Sequence, residues 1–223
     1  MEEVALQQFN QIQFPTTGQL DPLKMGVFYI SDIHLDYHIF EGKAVETYHY
    51  DAMRSEIQAI VQNIFGENRN IVEFDKHDII LFCGDIANRI ELVKLFFACF
   101  IEQFPTAQNI YYVLGNHELS EFETISDCYK AYSELEQQFS IRVLLNNYDV
   151  LSDNAGNPVA IVMGGVGFSK YNQTHNVNNL CYSKDLMGNR EKEIAESEKF
   201  VQFYGNCLTA ARKATIPLIV ASH

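Results

Sequence analysis

The sequence has no Cys-x-x-Cys pair, no apolar run approaching the ~20 residues that a bilayer span needs, and no basic leader ahead of an apolar stretch. Its cysteines, Cys83, Cys99, Cys128, Cys181 and Cys207, are odd in number and fall mostly inside apolar segments. They read as buried reduced thiols, not as a disulfide framework. The N-terminus, Met1-Glu2-Glu3, is acidic where a secretory signal is basic, so a soluble cytoplasmic protein is expected. Basic residues are also scarce: 16 Lys and Arg against 29 Asp and Glu leave a net charge of −13. That balance disfavours non-specific nucleic-acid binding and anionic membranes. It does not exclude a phosphate substrate, because divalent cations held among carboxylates reverse the local potential.

No internal repeat, low-complexity tract or interdomain linker interrupts the chain. The 223 residues therefore read as a single domain over 1–223, large enough to bury roughly 70% of its unfolded surface. Within it, the Gln-rich residues 1–24 form a lead-in segment. Gly164-Gly165-Val166-Gly167 lacks the Gly-x-Gly-x-x-Gly spacing and is not a dinucleotide fingerprint.

What the chain does have is a set of apolar strands ending in metal-competent side chains. Met25 to Ile30, rich in β-branched and aromatic residues, runs into Ser31-Asp32-Ile33-His34-Leu35. In an extended backbone, residues two apart share a side, so Asp32 and His34 converge on one ion. Such a pair alone is common by chance, but the arrangement recurs. Asp78 to Cys83 leads to Gly84-Asp85, Asn109 to Leu114 leads to Gly115-Asn116-His117-Glu118, and Pro217 to Ser222 leads to His223. Open α/β sheets bind ligands beyond the carboxyl ends of their strands, and the two glycines permit sharp turns there.

Between these strands, Met53, Ile57, Ile60, Val61, Ile64 and Phe65 recur at helical spacing and predict a helix closed by Gly66. Ile90 to Phe104 predicts a packed helix stopped by Pro105. Ser120 and Glu123 form a capping-box pattern ahead of a face made of Phe122, Ile125, Tyr129, Tyr132, Leu135 and Phe139. From Ile141, short strands at 142–145, 148–151 and 159–163, with a turn over 154–158, imply a second sheet. A last helix over Glu191 to Lys213 would place Ile194, Val201, Tyr204, Leu208 and Ala211 on one face. The loops His38 to His49 and Tyr171 to Asn179, the latter with His175, are either solvated surface or walls of a substrate cleft.

The ordered junctions resemble the calcineurin-like metallophosphoesterase superfamily. Its motifs run Asp-x-His, Gly-Asp, Gly-Asn-His-Asp/Glu, a lone His after a strand, and a final Gly-His-x-His. The chain matches the first four, from Asp32 to His223, and has no fifth. The resemblance implies an α/β fold, a four-layer α/β/β/α sandwich of two mixed sheets with helices outside. It also implies that the C-terminal part of the second sheet is missing, in a fragment whose continuation supplies the two absent His.

By the same resemblance, Asp32 and His34 hold one metal, Asn116 and His223 hold the other, and Asp85 bridges them. Carboxylate, amide and imidazole donors suit two divalent ions of the Mn, Fe or Zn type, and the absence of thiolate ligands argues against structural zinc. Two ions about 3.5 to 4 Å apart lower the pKa of a shared water, so hydroxide attacks a phosphate-ester substrate in line. His117 is the natural general acid, and Glu118 orients a ligand or His117. Arg89 either grips a phosphate oxygen or sits exposed at a helix start. Gly-Asn-His-Glu with Arg89 resembles serine/threonine protein phosphatases. Ser31, Leu35 and Asn88 depart from their pattern and bring the chain closer to the broad bacterial and phage phosphoesterases, including phosphodiesterases. The alternative to an enzyme is a non-catalytic scaffold that binds a partner through the same fold.

Overall fold

Four strands, β1 (Val27–Ile30), β2 (Ile79–Cys83), β3 (Asn109–Val113) and β4 (Ile141–Val143), pair in parallel in that order. A second sheet holds β5 (Asn147–Ser152), β6 (Pro158–Gly165) and β7 (Leu218–Ser222), with β5 antiparallel and β7 parallel to β6. The structure is a computed structural model that describes residues 26–40, 49–66, 74, 76–153, 155–168 and 182–223. The lead-in segment, residues 41–48 and the loop at 171–179 lie outside the described residues.

Parallel pairing requires crossovers, and helices supply them. They are α1 (Leu35–Phe40), α2 (Tyr50–Phe65), α3 (Ile90–Gln103), α4 (Asn116–Leu119), α5 (Ile125–Ser133), α6 (Leu135–Gln138) and α7 (Arg190–Ala214). As expected, Gly66 caps α2, and α3 stops just before Pro105, with Phe104 as its cap. None of the described helices is long and apolar enough to cross a membrane.

The core is divided by the sheets. Helices α2, α3 and α5 pack on one face of the first sheet around Phe82, whose ring meets Phe65, Phe96, Phe97 and Phe100 at centroid distances of 5.1 to 6.0 Å. On the other face Ile79, Leu81, Tyr111 and Val113 meet Val162 and Ala221 of the second sheet. Beyond that sheet Ile161 and Leu218 pack on Ala211 of α7. The described residues thus form two sheets in contact, with helices packed against them. Val27 and Tyr29, register partners of Ile79 and Leu81, are exposed on β1.

Three expectations need correction. The first strand after Ile141 joins the first sheet beside β3; alternation of buried Ile141 and Val143 with exposed Arg142 says which face is inward but not which sheet receives it. Ser120 does not N-cap the following helix; it is the C-cap of α4. Its hydroxyl donates to the His117 carbonyl, and Thr124 caps α5 by accepting from the Asp127 N–H at 3.0 Å. Finally, the inward face of α7 is only partly the expected one: Ala211 is buried as expected, but Val201 and Tyr204 point to solvent, while Glu193, Glu196, Ser197 and Cys207 face inward. Buried acids broke the apolar stripe on which the periodicity depends.

Lysine at Val201 or Tyr204 should thus change unfolding free energy by less than about 0.5 kcal/mol, whereas Phe82→Ala should cost about 3 to 5 kcal/mol. Urea titration of the three variants distinguishes this packing from the expected one, in which Val201 is core.

Candidate metal centre

Register aligns the carboxyl ends of β1, β2 and β3, since Ile30 pairs Phe82 and Phe82 pairs Tyr112. The chain then leaves β1 and β2 in an unusual way. Asp32, His34 and Asp85 have φ of 57°, 48° and 56°, in the left-handed region that costs an ordinary residue about 1 to 3 kcal/mol. The pair Asp32 and His34 thus converges through two left-handed residues, not through the extended backbone expected from the sequence. The loops hold each other in this shape: Asp32 N–H donates to the Gly84 carbonyl at 3.1 Å, His34 N–H to Asp85 at 2.9 Å and Leu35 N–H to Ile86 at 2.8 Å.

The two glycines serve different needs. Gly84 has φ of +84°, which a side chain would resist. Gly115 has an ordinary φ of −93°, but a Cβ there would lie 2.0 Å from Asp85 Oδ1. Its role is room for the Asp85 carboxylate, not freedom to turn.

Glu118 ties the loops together from beneath. Its carboxylate is fully buried. One oxygen accepts from the Asp85 N–H at 2.9 Å and the Gly115 N–H at 2.8 Å, and the other accepts from the Ile86 N–H at 2.6 Å. Burial and the nearby Asp85 charge push the Glu118 carboxyl above the usual range, and the backbone donors oppose that shift. Since three N–H groups point at its two oxygens, the bonded form is the carboxylate.

Above this tie, lone pairs face one another. His223 Nδ1 lies 2.9 Å from the Cys83 carbonyl, an acceptor, and so carries the proton. Its Nε2 then faces Asn116 Oδ1 at 3.1 Å and Asp85 Oδ2 at 3.3 Å, both acceptors. Something positive must lie among them: a second proton on the ring, or a cation. With a proton, the hydrogen bond to Asp85 outweighs burial and raises His223 to about 9. Burial would raise Asp85, but hydrogen bonds from His223 and the His117 N–H prevail and hold it below the usual range. The ligating atoms of Asp32, Asp85 and His223 lie within 4.8 Å of one another, as do those of His34, Asp85 and His117. Asp85 Oδ2 stands 3.3, 3.8 and 3.9 Å from the Nε2 atoms of His223, His117 and His34, and Asp32 Oδ1 3.7 Å from His34 Nε2, separations that suit neighbouring ligands of an ion with bonds of about 2.1 Å. Asp85, 3% exposed, belongs to both sets.

The structure thus gathers Asp32, His34, Asp85, Asn116, His117 and His223, with Glu118 below them. It leaves Arg89 exposed at the N-cap of α3. Two further residues, without an assigned role in the sequence, shape the site. Asn88 Oδ1 lies 2.5 Å from His117 Nδ1, and the Asn88 N–H donates to Asp36 Oδ2 at 2.6 Å. Because the Asn oxygen only accepts, the His117 proton sits on Nδ1, and Nε2 faces Asp85 Oδ2 at 3.8 Å. Asn88 is three residues past Asp85, a spacing that could have marked it. Asp36 depends on α1, which the sequence reading had as loop.

Residues 25–223 match the family model for calcineurin-like phosphoesterases. No curated protein matches the chain. Among solved structures, the phosphopantetheinyl hydrolase of Mycobacterium tuberculosis is similar with a TM-score of 0.51 and 12% identity, over 91% of this chain and 69% of that one. The NAD nucleotidase of Haemophilus influenzae gives a TM-score of 0.43 and 18% identity, over 89% of this chain and 34% of that one, so this chain spans about a third of it. The first of these likenesses supports a common fold.

Glu118→Gln tests the tie. An amide offers one acceptor oxygen to three N–H donors, so the variant should lose about 3 kcal/mol of stability in urea and bind Mn at least about tenfold more weakly. Unchanged stability would show that the loops hold themselves without Glu118.

Proposed function

Since the chain belongs to the calcineurin-like phosphoesterase family, we propose that it hydrolyses phosphate esters at this cluster, using two divalent cations that share Asp85 and a proton from His117. The observation that carries the reading is the convergence of Asn116 Oδ1 and Asp85 Oδ2 on His223 Nε2, at 3.1 and 3.3 Å. Asp32 and His34 would complete one site with Asp85; Asn116 and His223 would complete the other. Ions of the Mn, Fe or Zn type, when bound, supply Lewis acidity, making a water acidic enough to attack at neutral pH and offsetting phosphoryl charge.

The remaining steps belong to the chain. Departure of an alkoxide leaves a charge on oxygen that a proton must quench. His117, protonated on both nitrogens, gives the Nε2 proton to that oxygen and keeps the Nδ1 proton on Asn88. The ring therefore does not turn between cycles. Arg89, one residue beyond Asn88, carries a planar fork that can pair two phosphoryl oxygens. Glu118 keeps the Asp85 and Asn116 loops at a fixed separation. His117 also lies within ligand distance of His34 and Asp85, so its place as acid or as ligand is a question for substitution.

Release of nitrophenol from mono- and bis-nitrophenyl phosphate should stop on chelation and return with Mn; turnover indifferent to thorough chelation would contradict the proposal. The faster of the two esters distinguishes a monoesterase from a diesterase. Asp85→Asn should lose bound metal and activity together. His117→Ala should keep metal while slowing turnover by about 10²-fold or more, most for poor leaving groups. Metal loss equal to that of Asp85→Asn would make His117 a ligand.

A further inference from the structure

Tyr37 is 64% exposed, yet it stands beside the metal centre on backbone that is held from several sides. It lies in the first turn of α1, between Leu35 and Ile39, which are fully buried in the core. The strap from His34 and Leu35 to Asp85 and Ile86 fixes the start of this turn, and Asp36 fixes it to Asn88. The Tyr37 ring meets the His34 ring edge-on at a centroid distance of 5.5 Å, and the His34 ring meets His117 at 4.6 Å. Three rings thus run from solvent to the group that protonates the leaving oxygen.

A large apolar ring left in water on rigid backbone offers a stacking face whose ordering cost has been met in folding. We infer that Tyr37 is a specificity-determining residue, a platform for a flat aromatic ring carried by the alcohol part of the ester. The favoured substrates are then aryl or nucleoside-type phosphate esters over simple alkyl ones. This rests on the hydrolase reading for the orientation of the ester, with its leaving oxygen at His117. It adds a contact outside the proton-transfer and metal-binding residues. The interaction uses the ring face, so the hydroxyl is dispensable.

Equilibrium binding of phenylphosphonate and methylphosphonate, neither of which is hydrolysed, tests the platform in the Mn-loaded protein. The wild type should bind the phenyl compound about tenfold more tightly, as expected for one aromatic stack. Tyr37→Ala should abolish most of that preference while weakening methylphosphonate far less, and Tyr37→Phe should retain it. Equal affinities in the wild type, an unchanged preference in Tyr37→Ala, or no binding of either compound would overturn the inference. Should the preference follow Tyr37 in a protein that hydrolyses no ester, the platform stands and the hydrolase reading falls. If esters are hydrolysed but Tyr37→Ala leaves the preference intact, the reverse holds.

Discussion

The hydrogen bonds of one buried carboxylate govern the geometry of this site. Glu118 gathers the N–H groups of Asp85, Ile86 and Gly115, which belong to two different strand exits. Hydrogen bonds to a buried charge contribute roughly 1.5 to 3 kcal/mol each, comparable with the strain of left-handed Asp85. Without such a counterweight the Asp85 loop would relax toward an ordinary backbone and its side chain would turn away from His223. Gly115 makes the approach possible by leaving out the Cβ that would strike Asp85 Oδ1.

Charge above the tie is deliberately unbalanced toward oxygen. Asp85 faces the Nε2 atoms of two imidazoles whose other sides are already committed, His223 to the Cys83 carbonyl and His117 to Asn88. This fixes which nitrogen of each ring looks inward. On the proposed reading a cation between the ligands would replace the proton on His223 as the answer to the Asp85 charge, so metal uptake would be coupled to proton release. Such cations would reconcile a net charge of −13 with an anionic substrate.

Much of this arrangement was legible in the chain. Strand runs ending in Asp32, Asp85, Asn116 and His223 could be read because ligand chemistry restricts residue type and sheet topology restricts position. Less legible was everything set by long-range contact. The left-handed backbone of Asp32 and His34 comes from hydrogen bonds to a loop fifty residues away in sequence. Asn88 matters through His117, and Asp36 through Asn88, so neither announces itself alone. On α7, buried Glu193 and Glu196 displaced the apolar stripe and exposed Val201, and a burial argument based on residue type points the wrong way there.

The central claim is that Asp85 joins two cation sites into one centre. Titration with Mn followed by electron paramagnetic resonance reads this directly. Two equivalents should bind, and their signals should merge into an exchange-coupled spectrum as the second site fills. A single equivalent, or two that remain magnetically independent, would contradict it.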